Sequence, residues 1–376
     1  MSYRIHLNSA GAGIPAPAVP DVMSRYLTEE VDVGPYEAEV AHEAELADVY
    51  ARVARLISAP VDEVALFSSA TDAWTRVVCN LDLPRGCRIW TTPYEYAGNL
   101  IALQNLARRL NATLEVVKTR PDGDLDLEWM RANLDDQVAL VSLVHVPSGV
   151  GIVLPVEEVG TLLAGSAAVY VVDACQSVGQ LPVDVTAIGC HLLSGAGRKF
   201  LRGPRGTGFA YVARSVWDQV QLPFHDLHVA AVTSLDAYQL TVERAARFET
   251  SERNFAVMLG LLAALKFSGE QPVGAAPEVF ESLLTAVGGL SGVRLLAPGT
   301  QHAGIVSFVH DRVPANRIRD GLAVDGVTGW AAWGSHTPLY LAASGVDRFV
   351  RLSVHHYTTP DDVEIAVRSL RRVLST

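Results

Sequence analysis

The sequence predicts an α/β fold built on a mainly parallel sheet. From Val64 onward, short apolar runs alternate with helical patterns, which is typical of βαβ units. One of these runs, 169–172, is wholly apolar and leads into Asp173, as expected of a central parallel strand with a carboxylate at its C-terminal end. At 376 residues the chain is too long for one simple core, so we expect two domains.

Individual elements follow from the same patterns. Seven short apolar runs are strand candidates, at 64–67, 88–91, 114–117, 139–144, 168–172, 191–193 and 208–212. Helical patterns lie at 38–57, 71–80, 97–110, 127–134, 156–164 and about 251–267. A separate helix–strand alternation closes the chain, at 278–287, 305–309, 348–354 and 361–374.

These patterns divide the chain into three parts. We predict an N-terminal arm over 1–20, a large domain over 21–268 and a small C-terminal α/β domain over 269–376. The stretch 268–277 contains glycine and proline and is interpreted as a hinge between the two domains.

Composition favours a globular protein whose partner is a small molecule. Apolar residues make up 49% of the chain, the formal net charge is −11, and no Lys/Arg-rich run is present. These features argue against nucleic acid or an anionic membrane as a partner. The four cysteines show no Cys-x-x-Cys pairing and no metal-ligand spacing, so we expect reduced thiols and no metal site. No apolar stretch is long enough to cross a bilayer, which predicts a cytoplasmic protein.

Lys199 is the first candidate for chemistry. It lies in a Gly-rich loop that follows the apolar run 188–193, and Arg198 is its neighbour. Partial desolvation and a cationic neighbour favour a neutral, nucleophilic lysine that forms a Schiff base. A solvated lysine in a surface turn is the alternative.

Asp173 is the second candidate. Ligands of open α/β sheets bind at the carboxyl ends of the strands. A carboxylate there is able to keep a pyridinium nitrogen protonated, as pyridoxal phosphate requires. An acid that only caps the next helix is the alternative.

Together these two segments carry a family resemblance. Asp173-Ala-x-Gln176 is followed by Arg198-Lys199-x-x-x-Gly203-Pro-x-Gly-x-Gly. This pattern resembles the class V aminotransferases, which are fold-type I pyridoxal 5′-phosphate enzymes. The resemblance implies that fold, that cofactor and a site built at the interface of a homodimer. Arg198-Lys199 and the segment 247–252 look most like the branch of isopenicillin N epimerase, hercynylcysteine sulfoxide lyase and the lincosamide-biosynthesis enzymes.

The resemblance implies a cradle for the cofactor phosphate. Ala70 and Thr71 match the family's strand-to-helix segment, although an ordinary Ser/Thr helix cap is the alternative reading of that segment. Arg198 replaces a frequent histidine and is able to bind phosphate in bidentate fashion. Ala196 stands where relatives often have Ser or Thr, so either Ser194 substitutes or that contact is lost.

Further cofactor contacts are implied by three residues. Tyr96 stands where cysteine desulfurases stack a histidine on the pyridine ring, with core packing as the alternative. Ser148 and Gln176 match donors to the cofactor's phenolic oxygen. A plain turn residue is the alternative for Ser148.

Substrate binding is implied for Arg351 and Asn8. Arg351 matches the arginine that clamps the substrate α-carboxylate, a pairing that fixes which bond at Cα breaks. A surface edge arginine is the alternative. Asn8 resembles an asparagine that helps to hold the same carboxylate, and a turn-forming role is the alternative.

Residues 310–350 lack the nucleophilic cysteine that desulfurases carry on a mobile loop shortly before this arginine. Persulfide chemistry is therefore not expected. Trp330, Trp333 and His336 stand in the region instead, as pocket-lining residues or as an aromatic core.

From these residues we expect a C–S lyase that acts by β-elimination on an S-substituted cysteine in specialised or thiol metabolism, including antibiotic biosynthesis. Decarboxylation-coupled oxidative deamination, epimerisation and transamination use the same residues and remain alternatives. A binding protein without activity is a further alternative, which the presence of both Lys199 and Asp173 disfavours.

Overall fold

The structure is a computed structural model that describes residues 4–269 and 277–375. The helices are α1 Val19–Val33, α2 Pro35–Ala41, α3 Glu43–Leu56, α4 Ala70–Arg76, α5 Ala97–Leu110, α6 Leu127–Asn133, α7 Val156–Leu163, α8 Val185–Ile188, α9 Phe255–Gly269, α10 Pro277–Gly288, α11 Ala315–Val324, α12 Pro338–Ala343 and α13 Pro360–Leu374. The strands are β1 Ile5–His6, β2 Val64–Phe67, β3 Arg88–Thr91, β4 Thr113–Val116, β5 Val138–Val144, β6 Val169–Asp173, β7 Leu192–Ala196, β8 Gly208–Val212, β9 Ala230–Ser234, β10 Ala237–Leu240, β11 Val293–Leu295, β12 Ile305–His310, β13 Val327–Thr328, β14 Trp330–Trp333 and β15 Arg348–Ser353.

A seven-stranded sheet forms the centre of the large domain, in the order β2-β8-β7-β6-β5-β3-β4. Strands β4, β3, β5, β6 and β7 are parallel, and β8 runs antiparallel to both of its neighbours. Each strand corresponds to one of the seven predicted apolar runs, so the mainly parallel sheet is confirmed. The parallel arrangement collects the carboxyl ends of β3, β5, β6 and β7 along one edge.

The apolar character of these strands follows from burial on both faces. Every residue of β5, β6 and β7 is buried, as expected where helices cover both faces of a parallel sheet. Helix α9 is apolar on all sides because it packs on both α1 and α3. Among residues 4–269 and 277–375, no helix combines the length and apolar character needed to cross a membrane.

The small domain holds a four-stranded antiparallel sheet, in the order β11-β12-β15-β14. Its core is separate from the larger one and includes side chains of α10, α11 and α13. The N-terminal arm joins this domain, because β1 pairs in parallel with β13 and Ile5 and Leu7 lie in the same core. The predicted hinge lies largely outside the described residues, since 270–276 are not among them.

Several local features differ from the sequence prediction: helix α1 was not predicted, and the helix predicted over 71–80 ends at Arg76. The single helix predicted over 38–57 is wrong: it is divided at His42, whose backbone (φ −104°, ψ 10°) leaves the helical region. The ring of His42 contacts Glu29 at 2.9 Å and Glu45 at 2.6 Å, which holds the break in place. The hairpin of β9 and β10 was not predicted, because its residues are mostly exposed and polar or small.

Candidate active site

One cavity lies at the carboxyl edge of the large sheet. Eight of the predicted residues line it: Ala70, Thr71, Tyr96, Ser148, Asp173, Gln176, Arg198 and Lys199. Asn99 and Cys175, which were not predicted, also line it. The strand ends and the start of α4 therefore bring most of the predicted site together. Ser194 is not among the cavity-lining residues.

Lys199 lies half-buried in the turn that follows β7. The turn is tight, since the amide of Gly203 donates to the carbonyl of Gly197 at 2.7 Å. The arm packs against it so closely that a Cβ on Gly13 would lie 2.5 Å from the carbonyl oxygen of Lys199. Lys199 is therefore not a free surface lysine.

The pKa of Lys199 is lowered chiefly by burial, while the nearby Cys175 and Asp173 oppose the shift and the charges of Arg198 and Arg351 add to it. A lowered lysine pKa increases the fraction of neutral amine, which is the form that attacks a carbonyl or accepts a proton. The environment thus suits the chemistry predicted from the sequence.

Asp173 ends β6 and is buried. Its Oδ1 accepts a hydrogen bond from the backbone N–H of Cys175 at 2.9 Å, and its Oδ2 accepts one from Nδ2 of Asn99 at 2.8 Å. The first contact is the local cap that the alternative reading proposed. The second reaches a different helix, which a simple cap does not require.

The start of α4 and the loop before Lys199, where a phosphate cradle was predicted, lie together at the cavity. The hydroxyl of Ser69 caps the helix by accepting from the amide of Asp72 at 3.0 Å. Strand β8 approaches so closely that a Cβ on Gly208 would lie 2.3 Å from the carbonyl carbon of Ser69. Nε of Arg198 is buried and has no hydrogen-bond partner. A helix start and an unpaired guanidinium suit a phosphate group.

Ser194 makes a different contact from the one predicted. Its hydroxyl accepts a hydrogen bond from the indole Nε1–H of Trp74 at 3.0 Å, while Ala196 lines the cavity. A phosphate contact from Ser194 stays a prediction.

Tyr96 and Gln176 lie on the cavity wall. Tyr96 is 37% exposed, which excludes the alternative of a core tyrosine. Nε2 of Gln176 donates one hydrogen to the carbonyl of Ala10 at 3.0 Å, and its Oε1 has no partner. The arm therefore fixes the orientation of Gln176 and leaves its amide oxygen available.

Arg351 is buried in β15, between β12 and β14, so the alternative of an edge arginine is wrong. Its Nη1 donates to the carbonyl of Ser148 at 3.0 Å, its Nη2 lies 3.5 Å from Oδ1 of Asn8, and its Nε has no partner. Burial lowers the pKa of Arg351 to about 10. A buried guanidinium with an unused donor is suited to an incoming carboxylate.

Sequence reasoning missed Glu95 and Asn99. Nδ2 of Asn99 also donates to Oε1 of Glu95 at 3.0 Å, so one asparagine joins two carboxylates. Glu95 directly precedes Tyr96, the N-cap of α5, and Asn99 lies in the first turn of that helix, so the two residues are only four positions apart in the chain. That spacing was the available signal.

The fold and the site define an α/β enzyme that depends on a half-buried lysine. The chain belongs to the class-V aminotransferase family, whose family model matches residues 5–365. The family uses pyridoxal 5′-phosphate, and that is the cofactor of this chain. The residues present fit it, because an unpaired arginine, a lysine of lowered pKa and a strand-end carboxylate line one cavity.

Known proteins similar to this chain include cysteine desulfurases. A probable cysteine desulfurase 2 of Mycobacterium leprae is 33% identical over 356 residues, covering 88% of this chain and 82% of that protein. The apo structure of a cysteine desulfurase from Thermococcus onnurineus NA1 has a TM-score of 0.91 at 24% identity, covering 99% and 95% of the two chains. A cystine C–S lyase in complex with its product cysteine persulfide has a TM-score of 0.85 at 20% identity, covering 98% of each chain. These two structures show the shared fold.

Proposed function

We propose that this protein is a pyridoxal 5′-phosphate-dependent C–S lyase that acts on a cysteine S-conjugate in specialised or thiol metabolism. The observation that carries the proposal is one cavity that holds Lys199 and Asp173 beside the buried Arg351, in a chain without a loop cysteine at 310–350. The likeness to desulfurases supports C–S bond cleavage. The missing cysteine supports a different fate for the sulfur.

Each of these residues has a role in the reaction. Arg351 binds the substrate carboxylate through its unused Nε and places Cα near Lys199. Asp173 would hold the pyridine nitrogen of the cofactor, which would supply an electron sink for Cα when bound. The neutral amine of Lys199 accepts the Cα proton. The C–H electron pair then forms the Cα–Cβ double bond, and the sulfur leaves with the Cβ–S pair as a thiolate. The 2-aminoacrylate that remains is hydrolysed by water to pyruvate and ammonia.

None of the four cysteines suits a desulfurase role. A nucleophilic cysteine must reach its thiolate form and meet the substrate. Cys87, Cys175 and Cys190 are buried and Cys79 is half-buried, and burial raises the pKa of each thiol. Cys175 borders the cavity, but its thiol pKa is strongly raised by burial and by the charge of Asp173.

Trp330 and Trp333 are the candidates for contact with the sulfur substituent. Trp330 lies directly opposite Arg351 on β14, so both side chains project from the same face of the small sheet. Trp330 is 44% exposed and Trp333 is 51% exposed, so an aromatic core is excluded for both. The ring of Trp333 is covered by the guanidinium of Arg348 at 3.3 Å. Trp330 is therefore the better candidate for contact with a substituent.

Product analysis tests this proposal. The protein is incubated in air with a panel of S-substituted cysteines, with Lys199→Ala as a matched control, and the products are identified by mass spectrometry. Pyruvate and a free thiol that depend on Lys199 are expected. A product that keeps the sulfur substituent but has lost carbon dioxide and the amine would instead indicate oxidative deamination. An inverted or transaminated amino acid would indicate the epimerase or aminotransferase alternative.

We further propose a homodimer, as the resemblance to fold-type I enzymes implies. The hairpin of β9 and β10 supports it, because Val232, Leu235 and Tyr238 are all exposed. A two-stranded hairpin outside a larger sheet is marginally stable alone in water. Light scattering after size exclusion is expected to give the mass of a dimer, and Leu235→Ser to weaken it. A fully active monomer would contradict this proposal.

A further inference from the structure

The amide of Asn99 lies between two carboxylates. Asn99 is 5% exposed, and its Nδ2 is 3.0 Å from Oε1 of Glu95 and 2.8 Å from Oδ2 of Asp173. Each amide nitrogen has two hydrogens, so both are used here. The reversed amide would place Oδ1 against two carboxylate oxygens without a hydrogen between them. The two acids therefore fix which way Asn99 faces.

Glu95 is the anchor of this arrangement, and all of its acceptor positions are filled. Its Oε1 accepts from the backbone amide of Tyr96 at 2.9 Å as well as from Asn99. Its Oε2 accepts from the hydroxyls of Thr91 at 3.0 Å and Ser142 at 2.9 Å. Four donors are what an ionised carboxylate accepts. Burial raises the pKa of Glu95 to about 7, and the charge of Asp173 adds to that rise.

The network spans rigid neighbours in the sheet. Thr91 ends β3, Ser142 lies in β5 and Asp173 ends β6, and these three strands are adjacent. Each of the three residues is buried. Glu95 is therefore held by two strands and Asn99 transmits that position to the third.

From this geometry we propose that Glu95 and Asn99 are positioning residues that orient the Asp173 carboxylate toward the pyridine nitrogen of the cofactor. Asn99 holds Oδ2 while the amide of Cys175 holds Oδ1, so rotation of the carboxylate is blocked on both sides. A carboxylate held in this orientation is able to keep the pyridine nitrogen protonated. This inference rests on the cofactor and not on the proposed substrate.

The protonation state of the pyridine nitrogen is the direct test. Holoenzyme is prepared with ¹⁵N-labelled pyridoxal 5′-phosphate, and the ¹⁵N chemical shift is recorded for the wild type and for Asn99→Ala. We expect the protonated shift in the wild type and a displacement toward the unprotonated value in the variant. The dissociation constant of the cofactor is expected to rise about tenfold, as for loss of one hydrogen bond to a charged group.

Two variants of Glu95 separate orientation from charge. Glu95→Gln keeps an oxygen that accepts from Asn99, so we expect it to restore the protonated shift. Glu95→Leu removes that acceptor and is expected to behave like Asn99→Ala.

Glu249 provides the matched control. It is buried at 4% exposure and accepts from the backbone amide of Leu66 at 2.7 Å, but it belongs to a different network. Glu249→Gln is expected to lower the melting temperature and leave the ¹⁵N shift unchanged. The proposal is overturned if folded Asn99→Ala retains the protonated shift, or if Glu249→Gln changes it equally. Because no substrate is used, a failed lyase assay leaves this test unaffected.

Discussion

Two buried glutamates in this protein have opposite surroundings. Glu249 accepts from the hydroxyl of Tyr50 at 2.8 Å and forms an ion pair with Arg253, so its charge is balanced inside the fold. Glu95 has neutral donors only among the contacts of the described residues, and a second carboxylate, Asp173, lies one asparagine away. The fold therefore supplies a counter-charge for Glu249, whereas it leaves the charge of Glu95 unbalanced beside Asp173 at the cavity.

Ion pairing of the arginines differs in the same way: Arg253 pairs with Glu249, whereas no carboxylate of the described residues forms an ion pair with Arg198 or Arg351, although Nε of Arg253 is also without a partner. Nε of Arg351 and Nε of Arg198 are buried without partners, and the amine of Lys199 is held at a lowered pKa. Unpaired buried groups cost free energy unless a ligand satisfies them. The comparison therefore predicts that changes at the cavity reduce activity, whereas changes around Glu249 reduce stability.

The largest effect is expected for Lys199→Ala. Loss of the general base and of the covalent link should lower turnover by about a thousandfold or more. The visible absorbance of the bound cofactor should also change, while the melting temperature should stay close to that of the wild type. Steady-state kinetics, absorbance spectra and thermal denaturation measure the three quantities. Normal turnover in this variant would overturn the assignment.

The second-largest loss of activity is expected for Arg351→Gln. The variant keeps a polar side chain but loses the bidentate donor, so kcat/KM should fall about a hundredfold, mainly through KM. Because the charge is not balanced inside the fold, thermal stability should be unchanged or higher. Arg348→Gln, on the same strand but in contact with Trp333, is the matched control. Equal losses of kcat/KM in the two variants would contradict the role of Arg351 in binding the substrate carboxylate.

The charge of Glu95 should be visible in the pH dependence of stability. Since burial raises its pKa from 4.5 to about 7, the folded protein binds this proton more tightly than the unfolded chain does. Its contribution to stability is therefore largest below about pH 4.5 and is lost as the pH rises toward 7, by about 3 kcal/mol in total. As the pH rises from 4.5 to 8, the free energy of unfolding of Glu95→Gln should rise by about 3 kcal/mol relative to that of the wild type. Denaturant titrations at both pH values measure it, and a constant difference would contradict the prediction.

The smallest effect is expected for Tyr50→Phe. It removes a hydroxyl that donates to Glu249 and accepts from Arg253 at 2.7 Å. The free energy of unfolding should fall by about 1–2 kcal/mol, and activity should not change. A loss of activity without a loss of stability would break the comparison between the two glutamates.

The sequence predicted the large sheet well, because its central strands β5, β6 and β7 are apolar runs buried on both faces, although the edge strand β4 is not buried. It also predicted Lys199 and Asp173, whose types and spacing match the chemistry. It did not predict the division at His42, where the ring contacts Glu29 of helix α1, a contact between residues 13 positions apart. Periodicity shows which face is buried but not which distant side chains meet there.

The Glu95–Asn99–Asp173 network was missed for the same reason. Asn99 and Asp173 are 74 residues apart in the chain and meet only because of the strand order of the sheet. The pairing of β1 with β13 was also not expected from an arm rich in glycine and proline. Contacts of this kind are set by topology, which no local pattern records.

The N-terminal arm has a consequence for the order of events during synthesis. Asn8 pairs with Ser353, and β1 pairs with β13, so the arm is made long before its partners. At about 5–20 residues per second, the ribosome needs on the order of 20 to 70 s to reach those partners. During that time Leu7, which is fully buried in the finished protein, has no core to enter. The arm therefore stays without its partners until the small domain has been made.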